Sequence, residues 1–151
     1  MGTKGEKIRG LFWGLSAFWL LSLFLLCRPA ASPAATSSSP FMVYYFHGNM
    51  RCQTCNKIEK YTVEAVQAGF AEALASGALE IQVINTDQSE HEHFIKDFKL
   101  TNRSVILSKK GTADSPQRWK NLDRIWLLVR KQKTFQDYIV AELQAFMAAE
   151  Q

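Results

Sequence analysis

Phe41 to Phe46, FMVYYF, is a run of six apolar and aromatic residues. It is too short for a stable helix and rich in strand formers, and it does not alternate with polar residues as a half-solvated strand would. It therefore reads as a strand buried on both faces, which needs packed elements above and below it. The chain can supply them: 151 residues, 47% of them hydrophobic, suffice for one domain with a real core. Three cysteines exclude a disulfide-stapled mini-scaffold, and 21% charged with 12% aromatic residues exclude a mostly disordered chain.

The flanking sequence alternates helix and strand signals. A helix is expected from about Cys52, with Ile58, Tyr61, Ala65 and Val66 on one face. Gly69 interrupts it, and a short helix through Phe70 and Leu74 stops at Gly77. Leu79 to Ile84, LEIQVI, reads as the second strand. Ser89 with Glu92 has the spacing of a capping box, opening a helix that turns Phe94, Ile95 and Phe98 inward. Ser104 to Ser108, SVILS, is the third strand, Lys109-Lys110-Gly111 reads as a hairpin turn, and a short fourth strand is expected around Gln117 to Trp119. Two helices close the chain, one from about Asn121 and one from Thr134, with Asp137 three residues on. The result is an α/β fold of order β-α-β-α-β-β-α: a four-stranded mixed sheet, first and third strands central, flanked by helices.

Cys52-Gln53-Thr54-Cys55 falls where the first strand gives way to the first helix. First-turn amides are unpaired and carry partial positive charge, so a thiolate there is stabilised. The i,i+3 spacing puts both sulfurs on one face. Cys52 is the expected exposed nucleophile and Cys55 the resolving thiol, with Arg51 an adjacent cation. The pair suits disulfide exchange, a soft metal, or a structural disulfide. His47, ending the first strand, is a candidate base or third metal ligand. His91 and His93 point to different helix faces and do not share a metal; His93 is expected to pair with Asp97.

The strand–CxxC–helix unit, with Thr101 to Leu107 before the Lys-Lys-Gly turn, resembles the thioredoxin-like superfamily. More narrowly, VYYFHGNMRCQTCNKIEKYT and WKNLDRIWLLV resemble the nitrophenyl compound nitroreductase subunit family, the ArsF family, encoded near arsenic-resistance genes. The resemblance implies a thioredoxin-like fold over 41–148 with Cys52 and Cys55 as a redox pair. It also shows a departure: Arg103 stands where thioredoxins have a cis-proline beside the cysteines. There a guanidinium would favour the Cys52 thiolate and attract an anionic substrate; otherwise Arg103 would pair with Asp87 or Glu90 and fix the loop. Met50-Arg51-Cys52-Gln53-Thr54-Cys55 is also similar to the MxCxxC loop of heavy-metal-associated domains, whose order is βαββαβ. The sequence holds no dinucleotide fingerprint, so no cofactor is expected, and any part in nitro reduction would be electron relay.

Residues 11–27, LFWGLSAFWLLSLFLLC, carry no charge and follow a basic stretch. Residues 1–34 are read as a signal peptide or an N-terminal membrane anchor, and 35–40 as a linker. Cys27, preceded by Leu26, is read as apolar filler, with lipidation the other reading. Basic residues before the apolar run favour an inside N-terminus, which places the domain outside the cytoplasm, in the periplasm or cell envelope. Three of the four net positive charges lie in residues 1–40, so the charge balance points to no nucleic-acid surface. The expected partner is a redox protein of the cell envelope, with membrane contact through an uncleaved N-terminal segment.

Overall fold

The computed structural model describes residues 41–112 and 116–149. The signal or anchor expected over 1–34, the linker over 35–40 and the alternatives for Cys27 lie outside the described residues. The order is β1 (Phe41–His47), α1 (Gln53–Gly69), α2 (Ala71–Ala75), β2 (Leu79–Asn85), a 3-10 turn (Ser89–His91), α3 (His93–Asp97), β3 (Ser104–Lys109), β4 (Arg118–Asn121), α4 (Ile125–Leu128) and α5 (Gln132–Ala149). These strands form one sheet in the order β2-β1-β3-β4. β1 runs parallel to β2 and antiparallel to β3, and β4 pairs antiparallel with β3. This is the thioredoxin-like topology, with β1 and β3 central. It is not the βαββαβ order of heavy-metal-associated domains.

The pleat of β1 explains why its run is apolar throughout. Phe41, Val43 and Tyr45 enter a core built with Ile58, Ala65 and Val66 of α1 and Phe135, Ile139 and Leu143 of α5. Met42, Tyr44 and Phe46 enter a second cluster with Ile84, Ile106 and Phe98, against which Phe94 and Trp119 pack. Alternate residues of one strand therefore fill two cores.

Four local expectations are corrected. Ser89 and Glu92 do not form a capping box: the Ser89 hydroxyl donates to Glu90 Oε2 at 3.3 Å, and α3 starts only at His93 without a side-chain cap. A 3-10 turn occupies the space of the expected first turn. Asn121 does not begin a helix but ends β4, paired with Ile106, so α4 shortens to Ile125–Leu128. The last helix starts at Gln132, ahead of Thr134, and Asp137 pairs with Lys133 across one turn. The turn after β3 is also longer than Lys109-Lys110-Gly111, because Lys109 still pairs with Arg118.

α1 ends at Gly69, where a Cβ would meet Val140 Cγ2 of α5 at 3.0 Å, so the lack of a side chain permits close helix packing. α3 ends in a Schellman arrangement: Leu100 N–H donates to Ile95 O at 3.0 Å and Lys99 N–H to Lys96 O at 3.3 Å. Lys99 takes φ 51° there, the left-handed region usually left to glycine.

Candidate redox site at the start of helix α1

Cys52 is the N-cap of α1, with extended dihedrals of φ −85° and ψ 166°. Its sulfur accepts the Cys55 N–H at 3.2 Å, and its carbonyl accepts the Asn56 N–H at 3.1 Å. A thiol here does what a serine or aspartate oxygen does in a capped helix: it satisfies an orphan first-turn amide. The Cys52 thiol is consequently held below its ordinary pKa. The largest cause is the hydrogen bond from the Cys55 side chain, followed by the Cys55 amide, with Thr54 and Cys52 amides adding to it and desolvation opposing. Cys52 is exposed, while Cys55 is only 2% exposed, one turn into the helix.

Around the pair, the chain from His47 to Met50 is fastened from two sides. The turn after β2 supplies the first set of contacts. Thr86 N–H donates to His47 O at 2.8 Å, Asp87 Oδ2 accepts the Asn49 N–H at 2.7 Å, and Asn85 Nδ2 donates to Asn49 Oδ1 at 2.7 Å. Gly48 is required for this approach, since a Cβ there would sit 2.8 Å from Asp87 Oδ2. The second contact comes from the segment before β3: Arg103 Nη2 donates to Met50 O at 2.7 Å. Between the two fastenings lies a cleft of about 260 Å³ lined by His47, Met50, Asp87, Asn102 and Arg103 among others.

Arg103 thus reaches the loop that carries the cysteines. Its hydrogen bond goes to Met50 rather than to Asp87 or Glu90, which corrects the expected pairing: Asp87 is engaged by Asn49, and Glu90 by Ser89. The causes of the lowered Cys52 pKa are the Cys55, Thr54 and Cys52 hydrogen bonds; Arg103 and Arg51 are not among them. Arg51 is turned to an ion pair with Glu59, about two turns into α1. The peptide bonds of the described residues are trans, so the segment at Arg103 lacks the cis bond that thioredoxins have there.

His47 caps the end of β1 with Nδ1 against Gly48 O at 3.0 Å. Among the described residues no three His, Cys, Asp or Glu side chains come together as a metal cluster. His91 Nδ1 lies 3.0 Å from Asn85 O, and His93 meets Asp97 at 2.9 Å as its spacing predicts.

One site residue was invisible in the sequence. Tyr45 donates its buried hydroxyl to Cys55 O at 2.9 Å. It lies seven positions before Cys52, and only strand alternation, counted to the α1 face, could have singled it out.

No family model matches the chain, and neither does any curated protein. The class of the protein therefore rests on topology and site: a thioredoxin-like fold with a CxxC pair at the start of its first helix, an arrangement suited to thiol–disulfide chemistry.

Proposed function

We propose that the chain is a thiol–disulfide exchange or electron-relay protein working outside the cytoplasm. The observation that carries this is the asymmetry of the pair: an exposed Cys52 sulfur capping α1, with the buried Cys55 one turn behind it. The Cys52 thiolate attacks one sulfur of a substrate disulfide, and the other sulfur leaves as a thiol after taking up a proton. Cys55 then loses its proton and attacks Cys52 Sγ, releasing the second substrate thiol. One substrate disulfide is reduced to two thiols, and the protein dithiol becomes a disulfide, a transfer of two electrons and two protons. A partner dithiol in the cell envelope returns the pair to its reduced form by the reverse steps. Arg103 serves by holding the Met50 carbonyl, and with it the approach to Cys52.

The apolar run of 11–27 supports export or anchoring by residues 1–34. The two stretches that resemble the nitroreductase-subunit family support a relay serving nitroaromatic or arsenic metabolism, in which this chain passes electrons on through Cys52 and Cys55.

The test is a redox titration of Cys52 and Cys55 in the purified full chain against glutathione buffers, with and without Cu(I), Zn(II) and arsenite. A two-electron transition with Cys52 alkylated first is expected. Equal and slow alkylation of both thiols would make them a structural pair. Stoichiometric metal retained through purification would instead make the chain a soft-metal or metalloid carrier. Fractionation of cells by compartment tests the location.

A further inference from the structure

The Cys55 residue is held at both of its backbone groups. Its N–H points at the Cys52 sulfur, 3.2 Å away, and its carbonyl accepts the phenol of Tyr45 at 2.9 Å. Tyr45 reaches it from the centre of the sheet, ten residues away in sequence, and is fully buried. We propose that Tyr45 is a positioning residue for the cysteine pair, acting through the Cys55 carbonyl to hold the Cys55 amide on the Cys52 thiolate. The inference rests on the exchange reading above.

Three observations bear on it. Tyr45 is fixed by β1, which pairs on both sides, so the phenol has a rigid base. Its hydroxyl feels both thiols electrostatically and feels Arg51 and Arg103 in the opposite sense. Burial pushes its pKa up to about 12, which keeps it protonated, and therefore a donor, through the physiological range. A donor on the Cys55 carbonyl also draws negative charge out of the Cys55–Asn56 peptide, which follows the amide that faces the thiolate. Tyr45 thus favours the reduced, ionised pair, and a protein with a stabilised reduced form is the stronger oxidant.

Tyr45→Phe removes one oxygen and keeps the ring in the core. Tyr44→Phe is the control: it takes the same atom from the neighbouring residue, whose ring packs in the other cluster. In Tyr45→Phe the Cys52 alkylation rate below its pH midpoint should fall about fivefold, the scale of one hydrogen bond. The exchange equilibrium with glutathione should move about fivefold towards the disulfide. Tyr44→Phe should keep wild-type values for both. Unchanged values in Tyr45→Phe, or equal shifts in the two variants, would overturn the proposal even if thermal stability fell. A wild-type chain whose thiols never cycle would overturn the exchange reading and this inference together. A cycling wild type with an unmoved Tyr45→Phe defeats the inference alone.

Discussion

At the scale of single residues, the site is a matter of which groups a sulfur can touch. Removing the Cys55 thiol in Cys55→Ala deletes the largest contribution to the low Cys52 pKa while leaving the amide in place. The pH midpoint of Cys52 alkylation should therefore rise towards that of a free thiol, about 8.5, whereas Arg103→Ala should leave it where it is. Rates of alkylation measured across pH 5 to 10 in the three proteins check both outcomes. Tyr45 gives a second prediction. Its folded pKa of about 12 lies above the ordinary 10.0, so the phenol contributes its full stability below pH 10. As pH rises through the window between those values, unfolded chains ionise first and stability falls, by roughly 2–3 kcal/mol for that span. Denaturant unfolding between pH 9 and 12 should show that loss, and Tyr45→Phe should show less of it. The cysteine positions could be read from sequence because a CxxC after an apolar strand has few other uses. The partners of Arg103 could not: a guanidinium reaches several neighbours, and the choice of Met50 depends on how two loops meet.

At the scale of elements, the strands were plain in the sequence wherever burial was two-sided. Phe41–His47 and Ser104–Lys109 carry continuous apolar runs because both faces are covered. β4 was harder, since in Arg118-Trp119-Lys120-Asn121 one aromatic residue alone marks the inward face, and its limits came out shifted. Helix starts failed for a related reason. Ser89 and Glu92 have capping spacing, but a neighbouring acid and a 3-10 turn compete for the same groups, and spacing does not encode that competition. The C-terminus of α3 offers an element-scale prediction. Lys99 holds a left-handed conformation at φ 51°, which costs a residue with a Cβ about 1 kcal/mol against glycine. Lys99→Gly should stabilise the domain by about that amount in thermal melts, partly offset by the freer unfolded chain. Gly77, at φ 72°, already uses the residue its conformation favours.

At the scale of the whole domain, α5 supplies much of the cover over the sheet. Phe135, Ile139 and Leu143 are fully buried in the core that α1 and β1 share with α5. Phe135→Ala should cost about 3–5 kcal/mol by transfer and cavity terms, with the Cys52 alkylation midpoint unchanged in the folded fraction. Urea unfolding monitored by fluorescence, paired with alkylation in buffer, checks the two halves of that statement. The layered plan itself followed from the order of strands and helices, since a two-face buried first strand with crossover helices leaves few arrangements. What the order could not convey is how tightly that plan depends on parity along β1. Tyr44 and Tyr45 are chemically identical neighbours, yet one stacks 5.4 Å from Phe46 while the other grips the first helix. A one-residue slip of the strand would turn every one of its side chains to the opposite face. Slid one way, Phe46 would take the place of Tyr45 and leave the Cys55 carbonyl without a phenol; slid the other way, Tyr44 would take it. Parity along one short strand therefore decides which of two identical side chains serves the cysteine pair and which serves the opposite core.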